Sequence, residues 1–160
     1  VTNASSAWYG CSSLESFSSE LPLGRYLGNA WYNCSSLTDF SADVFSNWNP
    51  LSIYNGVFDG TWVNCSLTAQ SVENILTSID ASNQHGTDDG TSTGNPLGDA
   101  GIDIDYDGTT LSAATNAAID SLSGKGWEVF INGVLVIPNI LDLAPAAAYS
   151  LRSFDANADP

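Results

Sequence analysis

"WYGCSSLESF", residues 8–17, and "WYNCSSLTDF", residues 31–40, are two writings of one decapeptide, and the fold turns on why the chain repeats it. Trp8 and Trp31, Cys11 and Cys34, Leu14 and Leu37, and Phe17 and Phe40 are each 23 residues apart. Ala7 and Ala30 precede the two tryptophans. A third copy opens at Trp62, where "WVNCSL" keeps the Trp-x-x-Cys spacing 31 residues after Trp31. The added length falls in "SNWNPLSIYNGVFDGT", residues 46–61, whose Asn, Gly and Pro content reads as a loop. Repetition at such a period marks units that cannot bury their own apolar face and must stack on a neighbour. The tryptophans, cysteines and leucines are therefore expected to form one apolar column.

Composition narrows the function classes. A chain of 160 residues is long enough for one domain with its own core. Hydrophobic residues make up 43%, an ordinary share, but charged residues only 13%, so Ser, Thr, Asn and Gly must carry the surface. Arg25, Lys125 and Arg152 stand against 18 acids, and the net charge of −15 argues against a nucleic-acid partner, whose phosphates require basic contacts. Anionic membrane surfaces would repel it as well, and no apolar run is long enough to span a bilayer. The opening "VTNASSAW" stands where "GRYLGNAW" stands one period later, which suggests a piece of a longer polypeptide.

Beyond the third copy the period changes. In "LTAQSVENILTSIDAS", Val72, Ile75, Leu76 and Ile79 fall on one helical face, with Thr68 placed to cap the start. Residues 82–99 lack a period and read as a loop, whereas "AGIDIDYDG" alternates Ile102, Ile104 and Tyr106 with Asp103, Asp105 and Asp107, as a strand does. A second helix is expected from about Thr110 to Ser123, with Leu111, Ala114, Ala118, Ile119 and Leu122 as its stripe and Gly124 and Gly126 as its stop. "WEVFIN" then resumes a strand, and the two strands are expected to join one parallel sheet. The fold class that follows is α/β: a solenoid of short irregular coils with short parallel strands, closed by two helix–strand coils. It would occupy residues 1–133, with repeats near 1–30, 31–61 and 62–133, and leave 134–160 as a linker or the start of a following module.

Chemistry is sparsely marked. Cys11, Cys34 and Cys65 share one repeat position, which favours stacked, buried free thiols over a bridge or a zinc site. The Asn-x-Ser sequons at Asn3, Asn33 and Asn64 are largely a by-product of the repeated "NCS". "DIDYDG", residues 103–108, opens as a calcium loop does, so Asp103, Asp105 and Asp107 are the weak calcium candidates, with Asp99 a fourth. The twelfth loop position, however, is Ala114 where a glutamate belongs. Otherwise no metal or cofactor is expected. His85, the single histidine, lies among Gly, Thr and Asp with nothing to orient it as a catalytic base, and no acid pair is singled out for glycoside hydrolysis. Trp48 and Tyr54, outside the repeat and inside the 46–61 loop, are the candidates for contact with a sugar ring or a protein partner.

The unit Ala-[Trp/Phe]-x-x-Cys-x-x-Leu-x-x-[Phe/Ile] resembles the BspA-like class of leucine-rich repeat. Ala7, Trp8, Cys11, Leu14 and Phe17 match it, as do Ala30, Trp31, Cys34, Leu37 and Phe40. The third copy departs, with Thr61 for Ala and Leu67 two residues after Cys65 instead of three. The region from Cys65 to Asn132 resembles the closing unit of such repeats in tail-fibre and other virion proteins of marine bacteriophages, cyanophages in particular. "AAAYSLRSF", residues 146–154, is similar to the opening of an arabinofuranosidase-B-type module. The resemblance implies a leucine-rich-repeat solenoid in a non-enzymatic virion protein, serving as a rigid spacer or a host-recognition surface. Its partners would be other virion proteins, copies of itself, or a host-surface glycan or protein. A bacterial cell-surface adhesin, or the accessory region of a glycan-degrading enzyme, is the alternative.

Overall fold

The computed structural model describes residues 3–24, 26–49, 57–86 and 101–137. Two short strands, β1 (Ser16–Phe17) and β2 (Asp39–Phe40), pair in parallel, with Phe17 opposite Phe40. A 3-10 helix, Ala42–Phe45, follows β2. Then come β3 (Phe58–Leu67), α1 (Ala69–Ala81), β4 (Gly101–Tyr106), α2 (Ala113–Gly124), β5 (Glu128–Ile131) and β6 (Val134–Leu135). The last four strands form one sheet in the order β3-β4-β5-β6. Its first three strands run parallel and β6 is antiparallel to β5.

The repeated residues do one physical job. The indoles of Trp8 and Trp31 stack with centroids 5.0 Å apart and planes 3° apart, and Trp31 stacks on Trp62 at 5.7 Å and 6°. The phenylalanines wedge in edge-on: Phe17 lies 4.7 Å from Trp8 and 4.8 Å from Trp31, and Phe40 lies 5.0 Å from Trp31 and 5.7 Å from Trp62. Stacked and edge-to-face rings match the aromatic quadrupole and add about 0.5–1.5 kcal/mol per pair beyond burial. Backbone bonds run between copies in the same register, Trp8 N to Ala30 O at 2.9 Å and Trp31 N to Thr61 O at 3.0 Å.

Each copy bends at two left-handed residues, two positions either side of its tryptophan. These are Ser6 and Gly10, then Asn29 and Asn33, then Gly60 and Asn64, all with φ between 52° and 70°. Glycine and asparagine carry that conformation at least cost. At Gly60 glycine also leaves room for Asn29, since a Cβ there would stand 2.7 Å from Asn29 Oδ1 and make that side chain shift.

The leucine-rich-repeat solenoid expected from the sequence is corrected by this architecture. Among the described residues the fold is mixed α/β, with two α-helices and two small sheets, and the stack is not closed as a solenoid. Two details explain why. A third strand beside β2 is pre-empted by α1: Ser71 Oγ accepts from Phe40 N at 2.9 Å and donates to Thr38 O at 2.8 Å, while Asn74 Nδ2 donates to Phe40 O at 2.8 Å. At the other end Asn132 and Gly133, with φ of 52° and 72°, turn the chain back into β6, so the sheet finishes on an antiparallel edge. Asn-Gly is the preferred two-residue hairpin turn. This signal was legible in "FINGVL", where the sequence reading ends its last unit at 133 and continues into a linker.

The helices lie where the periodicity puts them. Thr68 caps α1, accepting from Ser71 N, and Val72, Ile75, Leu76 and Ile79 are buried. In α2 the cap is Ser112, and the buried face is Thr115, Ala118, Ile119 and Leu122, so Ala114 of the expected stripe is exposed. Lys125 ends α2 and reaches back across the pair, its Nζ donating to Asp80 O at 2.7 Å and Asp80 Oδ1 at 2.8 Å, which satisfies the end of α1.

Candidate functional site

The face of the sheet turned away from the tryptophans holds the acidic strand and the repeat asparagines. β3 has ten residues opposite the six of β4: Phe58 faces Ile102, Trp62 faces Ile104 and Leu67 faces Tyr106, with a register shift in each interval. The surplus residues are bulges, and the left-handed Gly60 and Asn64 stand in them, where backbone N–H groups leave the ladder. The β4 carboxylates collect those amides. Asp103 Oδ2 accepts from Gly60 N at 2.8 Å and Asp105 Oδ2 accepts from Asn64 N at 2.8 Å. The row continues sideways, Asn64 Nδ2 donating to Asn33 Oδ1 at 2.7 Å. In the turn just after β5, Asn132 brackets Tyr106, accepting from its N at 2.9 Å and donating to its O at 3.2 Å.

Residues 101–106 are thus a strand, and the carboxylates of Asp103 and Asp105 are engaged with main-chain donors. Asp107 is exposed beyond the strand end. Among the described residues no three of His, Cys, Asp and Glu come together as a metal would require. Asp99 lies outside the described residues. The sequence presents these aspartates as a polar strand face or as ligands, and their bulge-capping role becomes visible in the fold. The signal was the asparagine or glycine placed two residues from each tryptophan.

Trp48 requires a correction of the same kind. It is 1% exposed, its Nε1 donates to Gly24 O at 2.6 Å, and its ring lies 5.1 Å from Phe58 and 6.3 Å from Trp127. A loop tryptophan open to a partner is replaced by a core tryptophan, packed against Phe45 and against Phe58 at the start of β3. Tyr54 lies outside the described residues. Among the described residues Tyr9 is an exposed aromatic, 53% exposed, and the partly buried Tyr32 stacks on it at 5.2 Å and 7°.

The cysteines are free: Cys34 and Cys65 are buried and Cys11 is exposed. Each buried thiol donates back to the tryptophan carbonyl of the preceding copy, Cys34 Sγ to Trp8 O at 3.1 Å and Cys65 Sγ to Trp31 O at 3.2 Å. Burial raises the Cys34 thiol above its ordinary value and pushes Cys65 up to about 12. A thiol held neutral in this way is a weak nucleophile, so these two cysteines serve packing. His85 is exposed near the end of a described segment. Comparison of the chain with protein-family models, with curated proteins and with solved structures finds no match.

Proposed function

We propose that the chain is a non-enzymatic structural and attachment module of a bacteriophage particle, a rigid spacer or recognition surface on a fibre or other appendage. The observation that carries this reading is the three-tryptophan column, in which the chain's repeated residues are spent on stiffness and stacking. The engaged state of the acidic face and the neutral buried thiols support it, since both tie reactive side chains to the backbone. The likeness of the repeat unit to BspA-like repeats, together with that of residues 65–132 to the closing unit that accompanies them in virion proteins, supplies the particle context.

Proteomic analysis of purified phage particles tests the proposal. Peptides of this chain at the abundance of structural proteins are the expected result. Their absence from particles, together with their presence in a bacterial envelope fraction, would move the module to a cell-surface adhesin.

A further inference from the structure

The terminal hairpin is fastened to the end of β4 by one side chain. The main-chain register of β4 and β5 runs from Gly101 opposite Glu128 to Ile104 opposite Ile131, and Asn132 N donates to Ile104 O at 2.9 Å. There the chain turns away, since Asn132 and Gly133, with φ of 52° and 72°, lead into β6. Tyr106, two residues further along β4, is met by a side chain where a strand would continue. Asn132 Oδ1 accepts from its N at 2.9 Å and Asn132 Nδ2 donates to its O at 3.2 Å. The carboxamide replaces the peptide groups that the turn removes, because it offers both an acceptor and a donor. A carboxylate at this position has no donor for Tyr106 O. It would also add a negative charge to the surface cavity that Asn132 lines together with Asp105 and Asp107.

The next residue makes that exchange of amide for acid chemically accessible. Glycine leaves its peptide nitrogen unshielded, and even a Cβ at Gly133 would meet nothing within 4 Å, so no neighbour crowds the turn. We propose that Asn132 is a site of spontaneous deamidation, gated by the opening of the hairpin from β4, and that the product keeps the hairpin open. Once hydroxide has taken the Gly133 N–H proton, the nitrogen attacks Asn132 Cγ. The N–Cγ bond forms, the Cγ–Nδ2 bond breaks, and Nδ2 takes a proton from water and leaves as ammonia. Water then opens the cyclic imide at either carbonyl, giving aspartate or isoaspartate. The sum is asparagine and water converted to acid and ammonia. Attack turns the carboxamide away from Tyr106, so both hydrogen bonds must break first, and local opening of the hairpin sets the rate. The inference concerns the chain's own chemistry and does not rest on the virion reading.

The test holds the intact chain in mildly alkaline buffer, with and without denaturing urea, and follows conversion at Asn132 by tandem mass spectrometry. The tryptic peptide of residues 126–152 carries the site and excludes the other Asn-Gly pair, Asn55–Gly56. With two hydrogen bonds to break before reaction, the folded chain should convert at least about tenfold more slowly than the chain in urea. Hydrogen exchange on the deamidated chain, and on Asn132→Asp, is expected to show lost protection at the amides of Tyr106 and Val136, with α1 unchanged. Equal rates with and without urea overturn the gating, and no conversion in urea removes the site. Unchanged exchange in the deamidated chain overturns the unlatching.

Discussion

At the residue scale, identical side chains have different roles according to what their polar atoms find. Trp48 is buried with its N–H bonded to Gly24 O at 2.6 Å, whereas the buried N–H groups of Trp31 and Trp62 find no acceptor among the described residues. An unsatisfied buried donor costs about 1–3 kcal/mol, so replacing it with phenylalanine returns part of what the lost volume takes away. Trp62→Phe should therefore destabilise less than Trp48→Phe, by about 1 kcal/mol or more, in parallel urea titrations. Asp103 gives a second prediction. Asp103→Ala leaves Gly60 N partly buried and unpaired, which should cost about 1–3 kcal/mol, whereas Asp105→Ala costs less because Asn64 N is exposed and water replaces the carboxylate. If these aspartates serve the bulges and not an ion, the melting temperature is the same in calcium and in chelator. A calcium-dependent rise, lost in Asp103→Ala, would return the ligand reading.

At the element scale, α1 settles how far the repeat extends. Its apolar face was legible from spacing alone, and so were its Thr68 cap and the alternation of β4. The role of its polar residues was not legible. Ser71 is 2% exposed because it completes the hydrogen bonding of β2, a partnership across 31 residues that no local pattern announces. Ser71→Ala should cost about 1–3 kcal/mol, more than the loss of an ordinary exposed serine, since it leaves the buried Phe40 N without its acceptor, while Thr38 O keeps its bond from Thr68 N. Equal stability of Ser71→Ala and the parent chain in thermal unfolding would contradict this account of why the β1–β2 pair stops growing. The bulges of β3 escaped the sequence reading for a related reason. A bulge is defined against the partner strand, and β4 lies some 40 residues further along.

At the scale of the whole molecule, three copies of a motif produce one aromatic column, and two βαβ connections with a terminal hairpin produce the sheet that carries it. The periodicity made the column legible, but it overstated the regularity of the rest, because repetition specifies stacking only while each copy leaves its edge free for the next. The column also sets a pH dependence. The Cys65 thiol, ordinarily near 9.0, is held to about 12 in the folded chain, and Cys34 is raised as well. Below pH 9.0 folded and unfolded chains are both protonated and the contribution is complete. As pH rises from there toward about 12 the unfolded chain releases its thiol protons first, so stability falls. Thermal unfolding should show this alkaline decline, and it should be shallower in Cys65→Ser, which keeps a hydroxyl donor for Trp31 O without titrating.

The stacking itself is open to direct measurement through proton NMR cross-relaxation among assigned indole protons. Cross-peaks should join Trp8 to Trp31 and Trp31 to Trp62, whose rings lie 5.0 and 5.7 Å apart, with none between Trp8 and Trp62. Absence of either neighbouring pair, or a direct Trp8 to Trp62 contact, would contradict the column on which the account rests.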